Sequence, residues 1–366
     1  MKDVFFVPSF GNKPRNLVGR EDVLKNFEEC LESVPGSRER AMLLLGQRGM
    51  GKTVLLLELA DMAREKGFVV ASPTVVSKDM PERIVEKLCV DGEKYLKNNK
   101  TKVIGGSINV LGFGAGIQFS DGAAQKSISR RLSECCEVFN KSGHPVLILV
   151  DEVQADNEAL KQLIVAYQEL VGEGRDVAIV MAGLPNSISS VLNDHVLTFL
   201  NRAVKIELMP LKLNDIERYY INAFSELGII ISEKVIGDAA VKAEGSPYMM
   251  QLIGHYITIA ADANGKINNK TVQDSIRRSK SDFQNDICRT TLAMLSDKDQ
   301  DFLQAMAEDK NDSDVGELAK RMGVTNQYIQ IYKRRLIQAG VITQPRRGRV
   351  EIAVPYLKEY LAAKQN

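Results

Sequence analysis

Gly46-Gln47-Arg48-Gly49-Met50-Gly51-Lys52-Thr53 decides the fold of this chain. A glycine, four residues and then Gly-Lys-Thr is the spacing of a loop that wraps a phosphate chain. Glycines let the backbone turn its N–H groups onto the phosphates. Lys52 brings a point charge to the β and γ phosphates, and the Thr53 hydroxyl completes the shell of a bound Mg²⁺. The apolar run Ala41 to Leu45 precedes the loop and a helical pattern begins at Thr53. A helix N-terminus adds its own partial positive charge. This strand–loop–helix context predicts residues Gly46 to Thr53, with Val54, as the binding site for ATP or ADP.

A phosphate loop needs a partner acid for the metal, and Val146-Leu147-Ile148-Leu149-Val150-Asp151-Glu152 supplies one. The unbroken apolar run reads as a strand buried on both faces. Its acids stand at the C-terminal end, where open α/β sheets place their ligands. Asp151 is the expected Mg²⁺ partner together with Thr53. Glu152 is the expected general base on the attacking water, with Lys52 assisting the chemistry. The other reading of Glu152 is a cap on the next helix.

Further strands are expected at Phe68 to Ala71, Val177 to Gly183 and Val204 to Leu208, and helices at Pro81 to Asn98 and around Leu160 to Val171. Alternating strands and helices make a parallel α/β sheet. The interval between Lys52 and Asp151 is too long for one strand and one helix. The charge-free, Gly-rich stretch Val103 to Phe119 reads as a β-hairpin inserted at about 101–122. It is either a loop that touches DNA or a neighbouring subunit, or an edge hairpin over the domain's own surface.

Residues from about Leu211 to Asp286 look all-helical, with a helix capped at Asn214 or Asp215 and a break at Gly245-Ser246-Pro247. Beyond them, Val315 to Met322 reads as a helix, Gly323 as a tight turn, and Asn326 to Ala339 as a second helix stopped by Gly340. Val341 to Thr343 and Val350 to Val354 read as strands joined through Pro345-Arg346-Arg347-Gly348. Helix–turn–helix plus a basic hairpin is a winged-helix layout. From Arg321 to Arg349 stand Arg321, Lys333, Arg334, Arg335, Arg346, Arg347 and Arg349, with no acid. Asn326, Gln327 and Tyr328 open the second helix, where side chains reach base edges. Lys333, Arg334, Arg346, Arg347 and Arg349 are the expected phosphate contacts on double-stranded DNA. Protein docking is the competing use of such a module.

The whole divides into a nucleotide-binding α/β domain over 1–210, a helical lid over 211–288 and a winged helix over 289–366. The net charge is only +1, so composition by itself does not call for nucleic acid. No apolar run reaches the ~18 residues needed to span a bilayer. The five cysteines are scattered, odd in number and without a CxxC, as in reduced thiols of a cytoplasmic protein. The three histidines have no partner at metal spacing.

These pieces resemble the AAA+ ATPases, and among them the origin-recognition/initiator-like and STAND-like branch. Asn16-Leu17-Val18-Gly19-Arg20-Glu21 looks like the segment that lines the adenine pocket, which implies base contacts at Leu17 and Val18. Gly245-Ser246-Pro247-Tyr248 is similar to the lid turn of the family, placing Pro247 beside the nucleotide. Three departures stand out. Ala182 and Gly183 occupy the place of a polar sensor, with Asn186 the nearest substitute. Tyr248 stands where a lid arginine is common. Arg202 stands where an arginine often reaches a neighbour's nucleotide, and it reads equally as a cation at a helix C-terminus. The resemblance implies a slow ATPase acting as a nucleotide-dependent switch on DNA, alone, as a homo-oligomer or with a partner protein. The alternative is a STAND-like regulatory switch whose winged helix docks protein and which hydrolyses little or no ATP. A kinase shares the phosphate loop but does not account for the helical lid.

Overall fold

The computed structural model describes residues 5–9, 13–98, 127–154 and 157–364. The hairpin expected at 101–122 lies outside them. The α/β part runs α1 (Glu21–Glu32), β1 (Ala41–Leu45), α2 (Lys52–Glu65), β2 (Val69–Val75), α3 (Met80–Asn98), α4 (Ile128–Lys141), β3 (Val146–Val153), α5 (Glu158–Gly172), β4 (Val177–Gly183), α6 (Pro185–Leu192) and β5 (Val204–Glu207). The five strands pair in parallel in the order β2-β3-β4-β1-β5.

Strand side chains alternate between the two faces of a sheet. Leu43, Ile148, Val150, Ile179 and Met181 point to one face, where α3, α4 and α5 supply Leu88, Leu132 and Leu163. Met42, Leu44, Leu147, Leu149 and Val180 point to the other, where α1 and α2 supply Phe27, Leu55, Leu56 and Leu59. Both faces are covered, so the central strands read as continuous apolar runs.

The helical part follows as α7 (Leu213–Glu226), α8 (Glu233–Val241), α9 (Pro247–Ala260) and α10 (Asn269–Phe283). The expected cap at Asn214 or Asp215 is not formed: Lys212, two residues before Asn214, is the N-cap, with no side-chain cap hydrogen bond. A π-helical turn over Gln284–Cys288 joins α10 to α11 (Arg289–Ala293). The C-terminal part contains α12 (Asp297–Ala307), β6 (Ser313–Asp314), α13 (Val315–Arg321), α14 (Asn326–Gln338), β7 (Ile342–Arg346), β8 (Arg349–Ile352) and α15 (Leu357–Lys364). Thr325 caps α14 by accepting from the Tyr328 N–H, and Asp314 caps α13 through Gly316 and Glu317. The hairpin β7–β8 turns at Arg347-Gly348, two residues later than the sequence suggests, because Pro345 and Arg346 still belong to β7. The two-residue strand β6 completes a three-stranded antiparallel sheet.

One hydrophobic core runs through the helical and C-terminal parts together, from Tyr220 and Ile253 to Phe302, Leu336 and Leu357. Phe5 and Phe6 also lie in it, packed on Tyr219, Tyr220 and Phe224 and not on the sheet.

Candidate nucleotide site

The phosphate loop leaves β1 and enters α2 with Gly49 at φ +77° and Gly51 at φ +79°. These left-handed conformations are open to glycine at little cost. Gly51 is the N-cap of α2 and offers no side chain to the first-turn N–H groups. Those donors are therefore left for an anion.

Lys52 Nζ donates to the carbonyls of Gly46 and Gln47, both at 2.8 Å. Burial pushes its pKa down to about 8, and nearby Arg48 adds to the fall, while Asp151 and Glu152 oppose it. The ammonium is thus held over the loop with only neutral acceptors, where an anionic phosphate would relieve it. Thr53 Oγ1 donates to Asp151 Oδ2 at 2.6 Å. Asp151 Oδ1 accepts the Glu152 N–H at 2.9 Å, and the carboxylate is buried. A hydroxyl and a carboxylate side by side suit Mg²⁺, which prefers hard oxygen ligands.

Glu152 is exposed and has φ +52°. It sits where β3 parts from β4, between Val150 and Val153. The helix that follows is capped by Asn157, whose side chain accepts from the Leu160 N–H. Capping is therefore not the task of Glu152, and its carboxylate stands in a strained backbone position at the end of the strand.

At the end of β4, a Cβ on Gly183 would meet Val153 Cβ at 3.0 Å. A side chain at Gly183 would therefore crowd Val153. Asn186 is exposed on α6. Arg202 is exposed at the end of a 3₁₀ turn leading into β5, the edge strand beside β1, and forms no ion pair among the described residues.

Two other parts of the chain close on the loop. The Tyr248 N–H at the start of α9 donates to Gly49 O at 3.3 Å, and Pro247 packs near Gly51. The Tyr248 hydroxyl donates to Asp286 at 2.7 Å, so it is committed to the helical part. Gly340, φ +68°, lies just past α14 with its Cβ direction 3.1 Å from Gln47 Cγ. Arg48 Nη2 donates to Met294 Sδ at 2.8 Å. Gln47 and Arg48 of the loop therefore face Gly340 and Met294 in the later part of the chain. Leu17 and Val18 are half-buried, the first against the sheet core and the second against the helical core.

Arg20 was not among the site residues read from the sequence. It is buried, its guanidinium donates to Met209 O at 2.9 Å, Gly19 O at 3.3 Å and Met50 O at 3.4 Å, and burial lowers its pKa. It ties the Asn16–Glu21 segment, the phosphate loop and the connection to α7 into one joint. Its position directly after Leu17-Val18-Gly19 was the available signal.

At the C-terminal part, Asn326, Gln327 and Tyr328 are exposed at the start of α14. Several cations of the acid-free window are neutralised by acids just before it. Arg321 pairs with Glu308 and Asp309, Arg335 with buried Asp299, and Arg346 and Arg349 with Asp312. Lys333, Arg334 and Arg347 form no ion pair among the described residues. The first two line an open groove of about 410 Å³ along α14 with Ile331, Ile337 and Gln344.

Among the described residues no cluster of His, Cys, Asp or Glu could hold a metal by itself, and no helix is long and apolar enough to cross a membrane.

Residues 16–180 match the family model of the AAA ATPase domain, and residues 285–361 match that of a domain of unknown function (DUF8462). Among curated proteins no sequence match reaches significance. The Walker-type ATPase PABY2304 of Pyrococcus abyssi is similar in structure, with a TM-score of 0.69, 17% identity, and 97% of this chain and 99% of that one covered. The ORC2 protein of Aeropyrum pernix, solved in ADPNP–ADP complexes, has a TM-score of 0.66 and 15% identity, with 98% of each chain covered. Cdc6p of Pyrobaculum aerophilum has a TM-score of 0.51 and 17% identity, with 97% of this chain and 96% of that one covered. At these identities the solved structures speak for the fold: a parallel P-loop sheet of the AAA+ ATPase type with helices around it.

Proposed function

We propose that this AAA+ P-loop ATPase domain binds ATP or ADP on the Gly46–Thr53 loop and works as a nucleotide-dependent switch with slow hydrolysis. Its output is the C-terminal part, read as a winged helix that contacts double-stranded DNA. The observation that carries the proposal is the double contact on one loop. Gly49 O takes a hydrogen bond from Tyr248, and Gln47 lies against Gly340. In this reading phosphate in the loop alters both contacts.

In this reading the unsatisfied N–H groups of α2 and the Lys52 ammonium take up the phosphates. Lys52 leaves the Gly46 and Gln47 carbonyls as it turns to them. Leu17, Val18 and Pro247 line the base and ribose side. Thr53 and Asp151 hold Mg²⁺, which supplies neutralising charge at the phosphate oxygens. Glu152 accepts the proton of the attacking water. With glycine in the sensor place and Tyr248 tied to Asp286, few groups are left to stabilise the charge that develops, and turnover is slow. Arg202, on the edge-strand side, reaches the nucleotide of an adjacent copy. On DNA, Asn326, Gln327 and Tyr328 approach base edges while Lys333, Arg334 and Arg347 meet phosphates.

A second reading keeps the switch and gives the C-terminal part a protein partner. The pairing of Arg321, Arg335, Arg346 and Arg349 with acids favours it, since paired cations have less to offer DNA phosphates. Steady-state ATPase rates with and without duplex DNA, for wild type and Glu152→Gln, separate the two. Slow turnover that responds to DNA and vanishes in Glu152→Gln supports the first. Turnover indifferent to DNA, with no duplex binding at low salt, replaces it with the second.

A further inference from the structure

Away from the nucleotide site, two thiols face each other across the α3–α4 packing. Cys89 Sγ on α3 and Cys135 Sγ on α4 are 3.6 Å apart. Cys135 is fully buried, while Cys89 is only partly so and opens to solvent. A disulfide bond is about 2.05 Å long, so the two sulfurs need to close by about 1.5 Å. We propose that Cys89 and Cys135 form an oxidisable dithiol, in which Cys89 is the attacking thiol and Cys135 the resolving one, and that its oxidant is a hydroperoxide.

The two sulfurs differ as the roles require. The hydrogen bond between the two sulfurs, in which either can donate, draws the pKa of Cys89 down against the effect of burial, with help from Arg131 one helical turn before Cys135. Glu86 and Glu93 on the same helix oppose the shift. Cys135 is pushed up, first by that hydrogen bond and then by burial. The thiolate is the reactive form, so the less buried thiol, whose pKa is drawn down, reacts first. Cys136, Cys30 and Cys288 are buried and each pushed up to about 12, so they stay inert.

The reaction balances in two steps. The Cys89 thiolate attacks the hydroperoxide, the O–O bond breaks, and the alkoxide (hydroxide, from hydrogen peroxide) leaves and takes from solvent the proton that the thiol had released, giving an alcohol (or water) as Cys89 becomes a sulfenic acid. The Cys135 sulfur then attacks Cys89 Sγ. The S–O bond breaks, an S–S bond forms, and the oxygen leaves as water with the Cys135 proton. Two thiols are oxidised by two electrons and one hydroperoxide is reduced. The product joins the two helices that cover one face of the sheet at Leu88 and Leu132.

The test treats the full chain with hydrogen peroxide under native conditions, blocks free thiols with N-ethylmaleimide after unfolding, and maps peptides by mass spectrometry. The expected result is an intramolecular Cys89–Cys135 peptide with a mass loss of about 2 Da, while Cys30, Cys136 and Cys288 are alkylated. Native iodoacetamide should modify Cys89 at least about tenfold faster than Cys136. In Cys135→Ser, dimedone should trap a sulfenic acid on Cys89. Absence of the linked peptide in wild type overturns the proposal, as does linkage through any other cysteine. Equal oxidation of Cys135 in Cys89→Ser overturns the assigned roles.

Discussion

Lys52 turns nucleotide binding into a proton-linked event. In the unliganded loop its pKa is lowered from 10.5 to about 8, chiefly by burial. Nucleotide phosphates supply an anionic partner, so the bound lysine stays protonated well above that value. Above about pH 8 each binding event must take up one proton, and affinity should fall about tenfold per pH unit. Between about pH 7 and 9.5 the loss comes to roughly 30-fold, the inverse of the roughly 3% of free protein still protonated. Stability of the free protein moves the other way. A lysine depressed by folding binds fewer protons in the native state, so its burial cost eases as pH rises from about 8 towards 10.5. The assay is calorimetric titration with ADP in buffers of different ionisation enthalpy, on a Cys89→Ser background so that no reactive thiol titrates in the window. Proton uptake near zero at about pH 7 should rise towards one at about pH 9.5. In Lys52→Arg the slope should vanish, because a guanidinium stays charged throughout. Affinity that is flat to pH 9.5 with no proton uptake would refute the reasoning.

Glu152 at φ +52° stores backbone strain, so Glu152→Gly should raise stability by up to about 1 kcal/mol in denaturant unfolding while abolishing turnover. A net loss of stability would show that the carboxylate contributes contacts to the fold. Replacing Lys333, Arg334 and Arg347 together with alanine should lower duplex DNA affinity and cut the salt slope by about 2.7, whereas Arg346 and Arg349, paired with Asp312, should matter less. Equal effects from both sets would place the DNA elsewhere or nowhere. Arg335→Ala leaves the buried Asp299 carboxylate without its cation and should cost about 2–3 kcal/mol in thermal or denaturant unfolding, with nucleotide affinity unchanged.

The sheet was legible because its strands are buried on both faces: Ala41 to Leu45 and Val146 to Val150 can hardly be anything else beside a Gly-rich loop and an acid pair. What escaped the sequence depends on contacts between distant segments. Arg20 acquires its place from carbonyls at positions 19, 50 and 209, and the one local hint, its position directly after Leu17-Val18-Gly19, does not reveal the two distant carbonyls. The seat of Gly340 on Gln47 joins residues far apart in the chain, and Gly340 alone reads only as a helix stop. The cations between Arg321 and Arg349 looked unopposed because the window began after Asp299, Asp309 and Asp312, the acids that fold back onto them. Strand β6 has two residues, too few for any periodicity. The helix α7 begins without a side-chain cap although Asn214 and Asp215 stand in its first turn, because capping residues mark a start only to within a residue or two.

The switch is tested most directly by hydrogen–deuterium exchange of the full chain with ATP and Mg²⁺, with ADP, and without nucleotide. The reporters are the amides of Tyr248, bonded to Gly49 O, and of Gly340 and Val341, bonded back into the end of α14. The account predicts that ATP changes exchange at both places, that ADP changes it less, and that Lys52→Ala shows neither change. Nucleotide that binds the wild type while leaving exchange at both places as it is in the free protein would contradict it.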